Sequence, residues 1–289
     1  MRLTASRKAV RTSLMPGPTS TGVVPRLCGL AREYAVFYSS LVVLALICLS
    51  STVVALPLFV LLPRRAGSAA GRVGVMAGFR IYTGWLNLVR AYRLDLSAID
   101  ELRDAPALIL APNHPCMIDA LLILTRHPNL TCVMKSAVLK NVFLCSGARL
   151  ARYICNVSPV QMIRGAVAEL QRGGVLLLFP EGTRSIQAPL NELKASIGVI
   201  AKQAAVPVQT LIIETDSPYL SKGWPLRRRP PLPISYRVRL GRRFEPPEDV
   251  RVFMVELERH CRDELSGALQ SDWLGEAAAP DADPIGSRQ

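Results

Sequence analysis

The stretch from Ala35 to Leu62, which contains no charged residue, constrains this chain more than any other feature. A helix needs about 20 apolar residues to cross a hydrocarbon core of about 30 Å, and this stretch is longer than that. It is too long, and begins too far into the chain, for the apolar core of a cleaved signal peptide, which is the alternative. We therefore predict a helix that associates with a membrane. Pro57 leaves open whether this helix spans the bilayer or bends and only enters it.

The segments on either side of this helix are rich in arginine and lysine. Residues 1–33 contain a single acidic residue, Glu33, and read as a flexible basic tail. Residues 74–96 place apolar side chains at helical intervals with arginines between them, which predicts an amphipathic helix at the membrane interface. A stripe that faces the protein core is the alternative, because the pattern cannot distinguish a core from lipid. Basic residues on both sides of the apolar stretch give no orientation by the positive-inside rule.

Composition supports a membrane partner. A net charge of +13 together with a mean hydropathy of +0.26 is unusual for a soluble basic protein. A nucleic-acid binder does not need a long apolar segment, and aromatic residues make up only 6% of the chain, so we exclude nucleic acid as the partner. The seven cysteines form no Cys-x-x-Cys pair. Thiols that are spread through apolar runs indicate a reducing environment, so we expect the active site to face the cytoplasm.

From residue 97 to 270 the pattern changes to short apolar runs that alternate with helical stretches. Such alternation predicts an α/β domain with a mostly parallel sheet flanked by helices. Helices are predicted from Pro159 to Arg172, from Leu190 to Ala205 and from Pro247 to Leu269, and residues 271–289 are predicted to be disordered. The predicted strands cover residues 107–111, 130–134, 151–157, 175–179, 206–213 and 234–241.

The first group of reactive side chains directly follows the strand that ends near Ala111. In an open α/β sheet, ligands bind at the carboxyl ends of the parallel strands, and His114 falls at such an end. Pro115 suits the first turn of a helix, so we expect His114 just before the helix and Asp119 more than one turn inside it. The histidine ring can then fold back toward Asp119. A carboxylate on one imidazole nitrogen makes the other a better base, which predicts a general base and its orienting partner.

No nucleophile accompanies this pair. The chain has no Gly-x-Ser-x-Gly turn around a serine here, so a covalent acyl-enzyme is not indicated. Cys116 is close in sequence but is expected beneath the base in the first helical turn, which disfavours it as a nucleophile. A histidine that merely caps a buried helix is the structural alternative for His114.

A second polar loop, from Pro180 to Ser185, follows the apolar strand at Leu176–Phe179. Gly182 permits close approach of the backbone, and Arg184 presents a planar fork that suits phosphate. We expect Glu181 to form an ion pair with Arg184 and to position it. An ordinary surface turn is the alternative for this loop taken by itself, but two polar loops at one sheet edge favour a site.

At these residues the chain resembles the lysophospholipid and glycerolipid acyltransferases typified by 1-acylglycerol-3-phosphate acyltransferase. The resemblance covers roughly residues 41–213 and includes two complete motifs. One is the His-x-x-x-x-Asp motif from His114 to Asp119, preceded by Asn113, and the other is Phe-Pro-Glu-Gly-Thr-Arg-Ser at residues 179–185. Lys135 after the second strand and Val-Pro-Val at residues 206–208 match two further blocks of the family.

The resemblance implies a reaction. His114 removes the proton from an acceptor hydroxyl, which attacks the thioester of acyl-CoA or acyl carrier protein directly, while Asp119 orients His114. It also implies that the second loop binds the acceptor or stabilises negative charge, and that no metal or cofactor is needed beyond the acyl donor as co-substrate. The implied substrate-binding residues are Asn113, Lys135, Glu181, Gly182, Thr183 and Arg184.

The acceptor is less well defined than the reaction. Family members that use phosphate-bearing acceptors usually carry an arginine after the third strand, whereas residues 156–160 contain none, and only Arg164 lies nearby. Conversion of 1-acylglycerol-3-phosphate to phosphatidic acid is the simplest expectation. An amino-acid lipid or polyene lipid acceptor, a non-catalytic lipid-binding protein and a hydrolase are the alternatives.

Three further features receive structural expectations. Arg227–Arg229 is a basic run that is either a solvated face or a contact for anionic head groups, for the phosphates of coenzyme A or for an acidic carrier protein. His127 and His260 have no partner pattern in the sequence, and we expect both at the surface.

Overall fold

The computed structural model describes residues 23–136, 142–186, 189–225 and 227–268. The predicted tail at 271–289 and residues 1–22 of the predicted basic tail lie outside this range. Residues 23–33 do not form a tail, because they are the first turns of a long helix. The strands are β1 (Tyr92–Asp95), β2 (Ile109–Pro112), β3 (Leu130–Lys135), β4 (Ile154–Asn156), β5 (Val175–Leu177), β6 (Val208–Thr215) and β7 (Ile234–Phe244). The helices are α1 (Val23–Leu61), α2 (Arg64–Leu88), α3 (Asp119–Leu124), α4 (Val142–Leu150), α5 (Pro159–Leu170), α6 (Ser196–Ala204) and α7 (Val250–Ala268), and a 3₁₀ helix spans Ser97–Leu102.

The strands form one mixed sheet in the order β1-β7-β6-β2-β5-β3-β4. Strands β2 to β6 run parallel to one another, as the alternating sequence pattern predicts. Strand β7 pairs antiparallel with β6, and β1 pairs parallel with β7 at the same edge. The predicted α/β architecture is therefore confirmed, with two reversed strands at one side of the sheet.

Apolar side chains bury both faces of the sheet. Along β2, Leu110 faces the layer shared with α2 and α3, whereas Ile109 and Ala111 face the layer shared with α5, α6 and α7. Alternate residues of a strand point to opposite faces, so a strand buried on both faces reads as a continuous apolar run. This arrangement leaves the carboxyl ends of β2, β5 and β6 side by side at one edge.

Helix α1 is the membrane candidate. Residues Cys28–Leu61 are long and apolar enough to cross a bilayer, and only 6% of the most apolar window is buried inside the protein. One side of α1 packs on the domain through buried residues such as Phe37 and Ala55. The other side exposes large apolar residues: Leu41, Val42, Leu46, Leu49, Val53, Val54, Leu56, Phe59, Val60 and Leu61.

Helix α2 ends earlier than the sequence pattern predicts. The helix stops at Leu88, Arg90 adopts a left-handed backbone with φ 53°, and β1 begins at Tyr92. The prediction of one helix through residue 96 was wrong because Tyr92 packs in the core against Tyr236, with ring centroids 5.8 Å apart. A strand that extends the sheet edge buries this ring where a further helical turn cannot.

The apolar stripe of α2 faces the protein core. This was the alternative to the predicted position at the membrane interface. Tyr82 and Leu86 are buried, and Phe79 and Trp85 pack against the same core. Buried polar contacts also attach this helix to the domain, because Arg72 bridges Glu169 of α5 at 2.6 Å and donates to Asn129 at 2.7 Å. Burial by itself raises the pKa of Glu169, but the hydrogen bonds and charges of Arg172 and Arg72 together hold it below its ordinary value.

Candidate active site

The two polar loops that follow β2 and β5 meet at one edge of the sheet. Ser185 N donates to the carbonyl of His114 at 2.8 Å, and His114 N donates to Oε1 of Glu181 at 3.0 Å. These strands are hydrogen-bonded neighbours, so their carboxyl ends lie together. The two motifs therefore lie in contact at the same edge of the sheet, where the sequence predicts both loops.

His114 and Asp119 form a closely held pair. Nδ1 of His114 lies 2.8 Å from Oδ2 of Asp119, whose side chain is fully buried, while 17% of the histidine side chain is exposed. The ring stacks on Phe179 with centroids 3.9 Å apart. The carboxylate can only accept, so Nδ1 carries the hydrogen and Nε2 carries the lone pair. Among the described residues, none hydrogen-bonds to Nε2.

Asp119 is the first residue of a helix, whereas we expected it more than one turn inside one. Residues 113–118 form the loop, and α3 starts at Asp119 itself. The chain adopts this turn because Asp119 Oδ2 also accepts a hydrogen bond from Cys116 N at 2.8 Å. A carboxylate in the first turn of a helix is favoured there by the unpaired backbone N–H groups. This turn brings the His114 ring to the Asp119 carboxylate, so the ring does not have to fold back along a longer helix.

Cys116 serves the pair as a hydrogen-bond donor. Its thiol is 1% exposed, donates to Oδ1 of Asp119 at 2.8 Å and lies 3.1 Å from the hydroxyl of Tyr236. Burial, followed by the charge and hydrogen bond of Asp119, raises the pKa of Cys116 well above its ordinary value. A buried thiol with a raised pKa is a poor nucleophile. No sequence motif points to Tyr236, which lies on β7 and is 120 residues away from Cys116 in the chain.

Glu181 is an internal acceptor rather than the partner of Arg184. The side chain is 1% exposed. Oε1 accepts from His114 N and, at 2.7 Å, from Ser185 Oγ, while Oε2 accepts from Asn191 N at 3.0 Å. The expected ion pair is absent among the described residues. The reason is that a buried carboxylate is satisfied here by three nearby donors, two of them backbone N–H groups.

Arg184 instead turns toward the chain between β6 and β7. Its Nη1 donates to the carbonyls of Leu220 at 2.8 Å and Ser221 at 3.0 Å. These bonds use both hydrogens of Nη1, whereas Nε and Nη2 have no protein partner in the described part of the chain. The guanidinium can therefore hold the loop and still present donors to an anion. Gly182 before it has a φ of +66°, and both Gly182 and Thr183 have solvent-accessible surface.

The remaining sequence candidates lie in different surroundings. Asn113 clamps β2 to β6, since Nδ2 donates to Ile213 O at 3.0 Å and Ile213 N donates to Oδ1 at 2.7 Å. This leaves its amide bound to backbone rather than open to a ligand. Lys135 is exposed at the end of β3, and Arg164 is exposed on α5.

Two further structural expectations were wrong. The helix predicted from Leu190 begins at Ser196, because Asn191 N is bound to Glu181 and residues 189–195 form no helix or strand. His127 is buried, with 4% of its surface exposed, and His260 is half-buried beside Thr210. Within the described residues there is no cluster of three or more histidine, cysteine or carboxylate side chains that could hold a metal ion.

Comparisons with known proteins agree with this geometry. The family model described as Acyltransferase matches residues 93–214, which contain both loops. The fold is similar to the crystal structure of the 1-acyl-sn-glycerophosphate (LPA) acyltransferase PlsC from Thermotoga maritima, with a TM-score of 0.63 and 18% sequence identity. This similarity covers 86% of the present chain and 98% of the other. No curated protein sequence matches the chain.

Proposed function

We propose that this chain, whose residues 93–214 match the Acyltransferase family model, transfers a fatty acyl group to a lysophospholipid hydroxyl at a membrane, with His114 as the general base. The observation that carries the proposal is the state of His114. Nδ1 is held by a buried carboxylate, and Nε2 is open to a substrate. The pair therefore has a base and an orienting group.

The reaction proceeds without a covalent acyl-enzyme. Nε2 of His114 accepts the proton of the acceptor hydroxyl while the hydroxyl oxygen attacks the thioester carbonyl of acyl-CoA or acyl carrier protein. The C–S bond of the tetrahedral intermediate then breaks, and the imidazolium returns the proton to the departing thiolate. Asp119 stabilises the imidazolium through its bond to Nδ1. The buried thiol of Cys116 takes no part in bond making, because it is engaged with Asp119.

The acceptor we propose is 1-acylglycerol-3-phosphate, which would be converted to phosphatidic acid. The name of the similar PlsC structure supports this choice. So do Arg184, whose Nε and Nη2 remain available for a phosphate, and the exposed Lys135 at the end of the neighbouring strand β3. Residues 156–160 supply no arginine, which keeps an amino-acid lipid or a polyene lipid as the alternative acceptor.

The membrane location rests on α1. This helix exposes an apolar side that water does not favour, and lipid would cover it. An enzyme held at the bilayer meets a lysolipid acceptor directly. We place the active site on the cytoplasmic side, where acyl-CoA and acyl carrier protein are made and where the scattered free cysteines stay reduced.

A panel of acceptors tests the proposal. Purified protein in detergent micelles receives acyl-CoA or acyl carrier protein with lysophosphatidate, other lysolipids or a long-chain alcohol, and both acylated product and free fatty acid are measured. We expect acylated lysophosphatidate from the native chain and none from His114→Ala, with His260→Gln as the matched histidine control. Unchanged transfer by His114→Ala would sink the mechanism. Free fatty acid without acylated product would assign the site to hydrolysis, and no reaction with any acceptor would favour a lipid-binding protein.

A further inference from the structure

The segment between β6 and β7 touches both active-site loops. We call residues 217–229, of which all but 226 are described, the β6–β7 loop. The carbonyl of Leu220 accepts hydrogen bonds from Met117 N at 3.1 Å and from Arg184 Nη1, and the carbonyl of Ser221 accepts a second bond from Arg184. Through these two carbonyls, the β6–β7 loop is attached to both loops of the candidate active site.

The same loop packs on the beginning of α1. The ring of Tyr219 meets Phe37 edge to face, with centroids 6.4 Å apart. The guanidinium of Arg229 lies 4.8 Å from the ring centroid of Tyr34 and forms an ion pair with Glu33. These contacts place the loop beside the last charged residue before the apolar stretch. On a helix that enters a bilayer, this level lies at the boundary between water and lipid.

Three cations of the same loop are exposed. Lys222, Arg227 and Arg228 are exposed, and no carboxylate pairs with them in the described part of the chain. The guanidinium of Arg228 lies 5.0 Å from the ring centroid of Trp224, whose Nε1 donates to the Arg228 carbonyl at 2.9 Å. Arg229, in contrast, is neutralised by Glu33. Within the basic run, Arg229 is therefore paired with Glu33, whereas Arg227 and Arg228 have no carboxylate partner among the described residues.

Three aromatic side chains on this loop and on the first part of α1 are at least partly exposed. Tyr34 is 43% exposed and Tyr38 is 55% exposed on α1, and Trp224 is half-buried on the loop. Trp and Tyr together with Lys and Arg are the residues enriched where protein meets lipid head groups, because each combines an apolar body with a polar tip. An anionic bilayer surface attracts each such cation by about 1 kcal/mol, a factor of about five in affinity.

We propose that the β6–β7 loop and the first exposed tyrosines of α1 form a binding surface for anionic phospholipid head groups, at the mouth of the candidate active site. Lys222 and Arg228 supply the charge, and Trp224, Tyr34 and Tyr38 lie at the head-group level. The proposed surface lies beside the start of the apolar stretch, which favours lipid head groups as its ligand. A site for the phosphates of coenzyme A would not need a neighbouring helix that faces lipid. The inference rests on the proposed membrane location of α1 and not on the reaction.

Quenching of Trp224 fluorescence tests this surface. Full-length protein is reconstituted with brominated phosphatidylglycerol or brominated phosphatidylcholine, and the Trp224 contribution is the difference between the native chain and Trp224→Phe. We expect phosphatidylglycerol to quench Trp224 more strongly, and the lipid ratio that gives equal quenching to shift at least about fivefold in Lys222→Gln/Arg228→Gln. The matched control, Arg251→Gln/Arg259→Gln, removes two exposed cations from α7 on the other side of the sheet and should keep the native preference.

Several outcomes would overturn the proposal. These are equal quenching by both lipids, a preference that persists in Lys222→Gln/Arg228→Gln, or a change in Trp224 emission with coenzyme A alone that equals the change with phosphatidylglycerol. Acyl transfer in detergent micelles separates this surface from the proposed reaction. The double variant should keep its native rate there, which supports a lipid surface, whereas a lost rate would place the two cations in the substrate site and contradict the proposal.

Discussion

The loops that follow β2 and β5 differ in how they use their charged groups. In residues 113–119, Asp119 holds His114 through Nδ1 and leaves Nε2 open. In residues 180–185, the carboxylate of Glu181 points inward to three donors, and Nη1 of Arg184 is bound to two backbone carbonyls. Both loops are polar and both end a parallel strand, yet the first presents a reactive atom and the second chiefly keeps its neighbours in place.

The contrast between the two loops shows that a motif residue can be essential for activity for two separate reasons. Loss of a group that touches substrate lowers the rate and leaves the fold intact. Loss of a buried acceptor leaves donors without partners, so it lowers stability and then the rate through displacement of the site. Measurements that report the rate and the stability separately therefore distinguish these two reasons.

The largest effect is expected from Asp119→Asn. An amide oxygen in the place of Oδ2 keeps the hydrogen bonds of Nδ1 and Cys116 N but lacks the charge that stabilises the imidazolium. An amide nitrogen in that place favours the tautomer with hydrogen on Nε2 and removes the base. We expect the turnover rate to fall by about 10²- to 10⁴-fold, measured as thiol release from acyl-CoA with a saturating acceptor. A rate within a few-fold of native would contradict the role of Asp119 as the orienting group. Glu192→Gln, an exposed carboxylate near the other loop, is the control.

Glu181→Gln should reduce stability first. The neutral amide keeps the shape but replaces a charged acceptor of three hydrogen bonds with one oxygen and an extra donor, which we expect to cost about 2–3 kcal/mol. Thermal melting in detergent, followed by circular dichroism, measures this change against Glu192→Gln. If Glu181→Gln melts like the native chain but is inactive, Glu181 acts on the substrate and the contrast between the loops fails.

Arg184→Lys should have an intermediate effect. Lysine lacks the fork that binds the carbonyls of Leu220 and Ser221 while it presents other donors, so we expect a loss of about 1–2 kcal/mol in stability. If the free nitrogens bind phosphate, KM for lysophosphatidate rises about tenfold, as one lost charged hydrogen bond implies, while KM for an uncharged acceptor stays near native. An equal change for both acceptors would assign Arg184 to the scaffold alone.

The smallest effect is expected from alkylation of Cys116. Burial and the adjacent charge of Asp119 raise the pKa of this thiol, so it stays protonated and unreactive as pH rises through its ordinary value near 9.0. Iodoacetamide at pH 8 should label the exposed Cys28 and leave Cys116 unlabelled until the protein is unfolded, as read by peptide mass spectrometry. Rapid labelling of Cys116 with loss of activity would show that the loop exposes a second reactive group.

The candidate site could be located from the sequence because its signals are local. Apolar runs that alternate with helical stretches predict parallel strands whose carboxyl ends share an edge, so both loops are expected at that edge. The sheet order places β2 next to β5 and so brings the two loops into contact. The pairing of His114 with Asp119 also follows from a separation of five residues. The direction in which the apolar stripe of α2 faces was harder to predict, since a stripe that faces a core and one that faces lipid have the same sequence pattern.

The sequence alone predicts a mostly parallel sheet, the apolar helix α1 and the pairing of His114 with Asp119. The partner of each remaining polar group depends on how the distant parts of the chain pack. Arg184 binds carbonyls 36 and 37 residues away, and Cys116 meets a hydroxyl 120 residues away. A buried polar group binds whichever donors and acceptors the packed chain brings within about 3 Å. No short motif records those neighbours, because they are assembled from distant strands and loops only when the sheet closes.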